Sequence, residues 1–258
     1  MKRRQLVQYA GASVLSAIGI GAMSGMQRSF AQTGGGVSLQ WFGHTCFLFT
    51  GGGAGRILVN PFRNTGCTAG YRAPKVKTDL VMISSQLLDE GAVEILPGNP
   101  KLLYEPGTYN INGRQFQGIR TAHDRMDGKR FGINVAWRWK QGGLDILHLG
   151  GAAAPITPEQ KILMGRPDLL LLPVGNGPKA FTPEIAKQAI ETLNPKIVIP
   201  THFRTRAADA NACDLVPVDN FLTLMSGTPV RRIGNTISLS PASLPRTGTV
   251  IQVMSYPF

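Results

Sequence analysis

The chain has 258 residues and a formal net charge of +12, and 43% of its residues are hydrophobic. This length suffices for one domain with a sizeable core. Its basic residues are scattered, without runs that interleave aromatic residues, which argues against a nucleic-acid groove. The positive charge instead suits a small anionic substrate or an anionic surface, or it is only a solvated basic face.

The N-terminus has the pattern of a secretory signal peptide over residues 1–31. Arg3 and Arg4 precede an uncharged stretch over residues 9–26, and a Ser-Phe-Ala sequence ending at Ala31 suits signal cleavage. The paired arginines resemble a twin-arginine signal, and the ordinary secretory route stays open. Cleavage would leave no transmembrane anchor. We therefore expect export to the periplasm, or to the thylakoid lumen in a photosynthetic cell.

The first half of the chain is rich in short apolar segments bounded by turn residues. Gly43 and His44 separate the first two of these segments, and Pro61 closes the third. A hairpin turn is predicted at Asn112-Gly113. Strands are predicted over residues 37–41, 45–49, 56–60, 79–83, 101–104, 133–139 and 145–149.

The second half predicts a strand–helix–strand unit. Residues 168–172 form an apolar strand, and Thr182-Pro183-Glu184 has the residue types that begin a helix. Residues 196–199 form the next buried strand, which Pro200 ends. His202 then lies at the carboxyl edge, where open α/β sheets bind ligands. Together the two halves predict an α+β (α/β) fold with helices packed outside sheets.

The three cysteines form no CxxC pair, which leaves a thiolate zinc site unsupported. Cys46, Cys67 and Cys213 allow one disulfide in an oxidising compartment, with one thiol left over. The pairing stays open. Cys46 is expected to be buried because it lies in an apolar strand.

Several segments, in the same order along the chain, resemble metallo-β-lactamase-fold hydrolases, and in particular the branch with lactonases that act on ascorbate phosphate. The resemblance is carried by WFGHTCF at residues 41–47, ILVNPF at 57–62, the strand and helix that follow residue 168, and NPKIVIPTHF at 194–203. It implies a four-layer αββα sandwich in a single domain over residues 38–243, followed by a C-terminal tail over 244–258.

The same resemblance implies a site for two divalent metals, but this chain departs from its ligand motif. The family's HxHxDH motif aligns with residues 85–90, where Ser85 and Leu87 replace the first two histidines. Asp89 keeps the aspartate, and Glu90 replaces the last histidine. Ser85 is a poor zinc ligand and Leu87 cannot ligate.

The remaining family positions are partly kept. His123 and His202 match two further histidine ligands, whereas Gly151 replaces the bridging aspartate and Asn60 replaces the aspartate of an Asp-Pro-Phe sequence. The first metal position thus keeps only His123. We do not expect a dinuclear zinc centre.

The second metal position keeps more of its ligands. Asp89, Glu90 and His202 could hold one divalent ion of Zn, Mn or Fe. The alternative is that no metal binds and that Asp89 and Glu90 are a solvated acidic pair starting a helix over residues 88–93.

Three other residues are candidates near the site. His44 could hydrogen-bond a substrate or serve only the turn, and His123 with Asp124 could form a metal-free acid–base pair. His148, inside a strand, is expected to be a satisfied core histidine. No GxSxG sequence supports a triad that uses a serine.

Two functions follow from the resemblance and its departures. The first is a catalytically altered or non-catalytic family member, which would bind a small ligand or a protein partner. The second is a mononuclear metal-dependent hydrolase of a small anionic ester, lactone or phosphate, with His123 as acid or base. Whether the protein is an enzyme stays open between them.

Overall fold

A computed structural model describes residues 35–258, and the predicted signal peptide lies outside them. The helices of this part are α1 (Pro158–Met164), α2 (Pro183–Leu193) and α3 (Val218–Leu224), with 3-10 turns at Gly66–Thr68, Val93–Ile95 and Pro241–Ser243. The strands are β1 (Val37–Gly43), β2 (Cys46–Gly51), β3 (Ile57–Val59), β4 (Leu80–Met82), β5 (Lys101–Leu103), β6 (Gly107–Ile111), β7 (Arg114–Ala122), β8 (Ile133–Gln141), β9 (Leu144–His148), β10 (Leu169–Pro173), β11 (Ile197–Thr201), β12 (Val230–Ile233), β13 (Thr236–Leu239) and β14 (Val250–Met254).

These strands form two mixed sheets that pack on each other, as predicted. One sheet has the order β13-β1-β2-β3-β4-β5, and the other has the order β12-β14-β11-β10-β9-β8-β7-β6. The ring of Phe49 in the first sheet meets Trp139 of the second edge to face at 4.9 Å. The indole of Trp137 donates a hydrogen bond to the carbonyl of Ile83 across the same interface.

The short strands of the smaller sheet are apolar on both faces because both faces are covered. Ile57 and Val59 of β3 point into the core shared by the sheets. Leu58 points to the opposite face and joins a second apolar cluster. Side chains alternate along a strand, so an unbroken apolar run requires cover on both sides.

The main helix begins and ends as its sequence predicts. The Thr182 side chain caps α2 by accepting a hydrogen bond from the backbone N–H of Ile185, and Pro183 takes the first helical position. Asn194 closes the helix in the left-handed conformation. The buried side chains of α2 pack into the core. The helix connects β10 to β11, which run parallel to each other.

The central strands bring loops to one edge. All five residues of β10 and all five of β11 are buried. Their carboxyl ends meet, so the loop after β10 lies beside His202, which directly follows β11. The segment predicted as a tail contributes β14, which lies between β11 and β12. The sheet therefore extends past the boundary predicted at residue 243.

Two further features complete this part of the chain. Cys67 and Cys213 form a disulfide, and Cys46 is a buried free thiol. Among residues 35–258, no helix has both the length and the apolar character needed to cross a bilayer.

Candidate metal centre

Three potential metal ligands converge at this edge of the sandwich. His44 comes from the turn between β1 and β2, Asp89 from the loop after β4, and His202 from the end of β11. One ligand atom from each lies within 4.8 Å of the others. Asp89, Glu90 and His202 were predicted to hold a metal, with His44 only beside it; in the structure His44 takes the place of Glu90 in the converging group.

The turn that carries His44 is held by aromatic side chains. The indole of Trp41 donates a hydrogen bond to the carbonyl of His44 at 3.1 Å. Gly43 has a φ of +108°, and a Cβ there would lie 2.5 Å from the Tyr71 ring. Only glycine fits this position, so the turn and its histidine are held in one place.

The imidazoles of this group are buried without partners. His44 and His202 are 1% and 2% exposed, and their rings meet edge to face at 4.2 Å. Neither ring nitrogen of His44, nor Nδ1 of His202, has a hydrogen-bond partner among the described residues. Buried polar atoms without partners are rare and costly, and a cation between them would supply the missing contacts. The donor set therefore fits a metal ion.

Burial also keeps these histidines able to ligate. Desolvation lowers the pKa of His44 below its ordinary value, and Lys179 adds to that effect. Desolvation, together with the neighbouring His44, lowers the pKa of His202 well below its ordinary value. Both imidazoles are neutral near pH 7, which is the form that binds metals.

Glu90 occupies the middle of the site and is fully buried. Its carboxylate accepts hydrogen bonds from the hydroxyls of Thr45 at 3.3 Å and Ser85 at 3.1 Å. Nε2 of His123 lies 3.1 Å from Oε2 of Glu90, and Nδ1 of His202 lies 3.9 Å from Oε1. The alternative of a solvated acidic pair at the start of a helix is wrong, because this carboxylate is enclosed and residues 88–93 do not form an α-helix.

The surroundings keep the Glu90 carboxylate ionised. Burial alone would raise the pKa of Glu90, but His123 above all, with His202 and Lys179, lowers it below the ordinary range. A buried anion of this kind needs such partners, since an isolated carboxylate in a dry interior would take up a proton.

His123 and Glu90 pack closely against Gly151. A Cβ on Gly151 would lie 2.4 Å from Nε2 of His123 and 2.9 Å from Oε2 of Glu90. The His123 ring and the Glu90 carboxylate thus fill the space beside the position where the family has its bridging aspartate.

Lys179 is the site residue that sequence analysis missed. Its ammonium is in ion-pair contact with the Asp89 carboxylate, and it lies 5.9 Å from the centre of the Phe131 ring. The only sequence signal was its place, one residue after the Gly175–Pro178 loop that follows β10. Asp89 in turn lies 3.9 Å from Nε2 of His44.

Asp124, predicted as part of an acid–base pair, is committed to its own loop. Its carboxylate accepts four hydrogen bonds, from the backbone N–H groups of Met126, Gly128, Arg130 and Phe131. Desolvation opposes ionisation, yet these four donors lower the pKa of Asp124. The loop closes over His123, whose ring lies 6.5 Å from that of Phe131.

His148 has the structural role that its place in a strand predicted. Nε2 lies 3.0 Å from the carbonyl of Thr45, and Nδ1 accepts from the N–H of Gly150 at 3.0 Å. With Nδ1 as acceptor, Nε2 carries the proton and donates. Burial lowers the pKa of His148 to about 4, so the ring is neutral and ties β9 to Thr45.

Asn60 supports the floor of the site from β3. Its amide donates to the hydroxyls of Thr45 and Ser84, at 3.2 Å each. Its side-chain oxygen accepts from the N–H of Ser84 at 2.8 Å. Through Thr45 this network reaches Glu90, so Asn60 positions the floor although it touches none of the three converging ligands.

A cavity of about 360 Å³ opens above the group. Its polar floor includes His44, Asp89, Lys179 and His202, with Asp214 on the wall. The disulfide partner Cys67 lines the same wall, which the bond to Cys213 ties to the loop before α3. Neither His123 nor Glu90 lines this cavity, so the predicted role of His123 as an acid or base in contact with substrate is not supported by its position.

Comparison with known proteins agrees with this architecture. Residues 38–202 match the family model of the β-lactamase superfamily domain. A UPF0173 metal-dependent hydrolase from Pelotomaculum thermopropionicum is 30% identical over 202 residues, which are 66% of this chain and 85% of the relative. Its counterpart from Thermoplasma acidophilum is 25% identical over 192 residues, 64% of this chain and 82% of that protein.

A solved structure extends the likeness to three dimensions. A protein from Thermotoga maritima, proposed to be a Zn-dependent hydrolase of the metallo-β-lactamase superfamily, superposes with a TM-score of 0.67 at 30% identity. The match covers 84% of this chain and 98% of that protein. The predictions of fold and superfamily are confirmed.

Proposed function

The chain belongs to the metallo-β-lactamase superfamily, and on that premise we propose that it is an altered hydrolase whose centre holds one divalent cation instead of two. The observation that carries this proposal is the convergence of His44, Asp89 and His202, with buried imidazole nitrogens that lack partners. One carboxylate and two imidazoles suit Zn, Mn or Fe, with water completing the shell.

Among residues 35–258, His44, Asp89 and His202 are the one group of potential ligands that converges in this way. Leu87 offers no donor atom, and His123 is already in contact with Glu90. A side chain at Gly151 would collide with both of these residues. These contacts support the proposal of a single ion.

Charge balance also favours one divalent ion. Asp89 and Glu90 carry two negative charges, and Lys179 carries one positive charge beside them. Asp214 adds a further negative charge at the cavity wall. With neutral imidazoles, one divalent cation would balance this group, whereas two would leave an excess positive charge in a buried site.

The substrate class is a small ester, lactone or phosphate with anionic character. A bound ion would polarise its carbonyl or phosphoryl oxygen. Lys179, 18% exposed at its side chain, lies at the cavity floor, where its ammonium could hydrogen-bond a developing oxyanion. Glu90 and His123 would hold the floor in place.

Metal analysis tests the proposal. The protein, purified without a metal-binding tag, is expected to carry about one ion per chain. At a metal concentration of 100 Kd the free energy of unfolding should rise by about 2.7 kcal/mol, which is roughly 5–10 °C in Tm for a domain of this size. Asp89→Asn should abolish this shift, and Asp219→Asn should keep it, because Asp219 lies exposed on α3 and does not line this cavity. Absence of metal and a melt unmoved by Mn, Fe and Zn would refute it.

A non-catalytic protein is the second candidate, and the contact between Lys179 and Asp89 favours it. The ammonium neutralises the carboxylate that a metal would need, and Glu90 already has His123 at 3.1 Å as a partner. The fold would then serve to bind a small ligand or a protein partner. This candidate predicts that a chelator leaves the Tm unchanged.

We also propose that the protein is exported to the periplasm, or to the thylakoid lumen in a photosynthetic cell. Support comes from the disulfide between Cys67 and Cys213, because such bonds persist in oxidising compartments. N-terminal sequencing of the protein recovered from a cell envelope fraction should begin at Gln32. A full-length chain retained in the cytoplasm would contradict export.

A further inference from the structure

We propose that the substrate of this centre carries an unbranched aliphatic chain, which binds along an apolar rim beside the cavity. The rim is formed by five side chains: Leu87, Leu88, Tyr104, Phe131 and Ile133. This inference rests on the proposed function for the reacting end of the substrate. To the proposed function it adds the chemical class of the substrate, which is an ester or lactone of an aliphatic acid.

The rim joins two cavities. The cavity above the candidate metal centre has Leu87, Leu88 and Phe131 in its wall. A second cavity of about 350 Å³ also has Leu87 and Phe131 in its wall, together with Tyr104 and Ile133. The rest of its lining is Val135 and four polar residues, Ser84, Ser85, Gln86 and Glu105. Leu87 and Phe131 thus face both spaces, so a linear ligand could lie across them.

Three residues of the rim are unusually exposed for their type. Leu88 is 55% exposed, Tyr104 is 44% exposed and Ile133 is 36% exposed. Leu88 lines the cavity above the candidate metal centre, and Tyr104 and Ile133 line the second cavity, so each of the two spaces has exposed apolar surface in its wall.

The polar floor fixes the direction of such a ligand. The Lys179 ammonium lies 5.9 Å from the Phe131 ring centre, so the charged floor and the rim adjoin. A carbonyl or carboxylate would bind near Lys179 and the candidate metal ligands, and the chain would extend over Phe131. Pockets for small molecules combine apolar walls with a few placed polar groups in this way.

Leu87 strengthens the assignment because of where it stands. It lies two residues before the candidate ligand Asp89 and lines both cavities, so it presents an apolar side chain where they adjoin. Leu87 therefore places the aliphatic chain of a substrate next to its reacting ester or lactone group.

The test uses butanoate, hexanoate and octanoate as probes, with binding to the purified protein measured by titration calorimetry. Each added pair of methylene groups should tighten the Kd about fourfold if half buried and about fifteenfold if fully buried, given the free energy of burying a methylene group. Leu88→Ser should flatten this dependence on chain length. Ile162→Ser is the matched control, because Ile162 on α1 is 79% exposed and lines neither cavity.

The outcomes separate this inference from the proposed function. The protein could bind no metal under any condition and still show a Kd that depends on chain length. That result would support the apolar rim and refute the metal centre. A Kd independent of chain length would overturn the inference, even if metal binds. Equal losses in Leu88→Ser and Ile162→Ser would show non-specific adsorption and overturn it as well.

Discussion

Replacing Lys179 by methionine should make the protein bind a divalent metal more tightly. The change keeps the length of the side chain and removes the ammonium that contacts Asp89. A metal held by Asp89 must share this carboxylate with Lys179 or displace it. In wild-type protein the metal therefore competes with a cation of the protein itself.

The size of the effect follows from Coulomb's law. Two unit charges 4 Å apart interact by about 4 kcal/mol at an effective dielectric constant of 20. Lys179 is partly exposed and flexible, so it can turn towards solvent and recover most of this energy. A gain of about 1.4 kcal/mol, or tenfold in Kd, is the smallest effect that we expect.

The assay is calorimetric titration of chelator-stripped protein with Mn or Zn. Lys187→Met is the matched control, since Lys187 lies exposed on α2 and should leave the Kd unchanged. If Lys179→Met bound metal no more tightly than wild type, competition at Asp89 would be refuted. If it bound more weakly, Lys179 would instead support the metal site.

Three further predictions concern the frame of the site. Breaking the Cys67–Cys213 disulfide by Cys67→Ser should cost about 2–5 kcal/mol of unfolding free energy, seen as a lower Tm that no longer responds to reductant. Asp124→Ala should speed hydrogen exchange of the amides in loop 126–131, and unchanged exchange would refute its role there. Burial lowers the pKa of His148 to about 4, so its contribution to the free energy of unfolding is complete above about pH 6.5. About 3 kcal/mol of that free energy is lost as the pH falls from about 6.5 towards 4. His148→Gln should flatten this part of a plot of unfolding free energy against pH.

Local chemistry made much of the fold predictable from the sequence. The helix cap at Thr182 and the proline that follows it depend only on residues adjacent in the sequence. The structure has both, as predicted. The existence of the buried strand before His202 was equally clear, because an apolar run needs cover on both faces. Its predicted end was wrong, since the strand does not stop at Pro200 but pairs with β10 as far as Thr201.

The candidate site was predictable only in part, since its contacts join distant residues. Lys179 and Asp89 are 90 positions apart, and no local pattern announces their ion pair. His44 became part of the ligand group only because the β1–β2 turn packs against the end of β11, where the N–H of His202 donates to the carbonyl of His44 at 3.4 Å. Glu90 could be read as solvated until packing enclosed it.

The buried charge at Glu90 bears on the choice between the two candidate functions. Enclosing a carboxylate costs several kcal/mol, which the partners Thr45, Ser85 and His123 offset in part. Apolar side chains of similar volume often give equal or greater stability in such places. A fold kept only for assembly would gain little from two carboxylates and three imidazoles gathered beneath an open cavity. The arrangement is better accounted for by a ligand that needs those charges, and a single divalent cation is the simplest one that matches their sum.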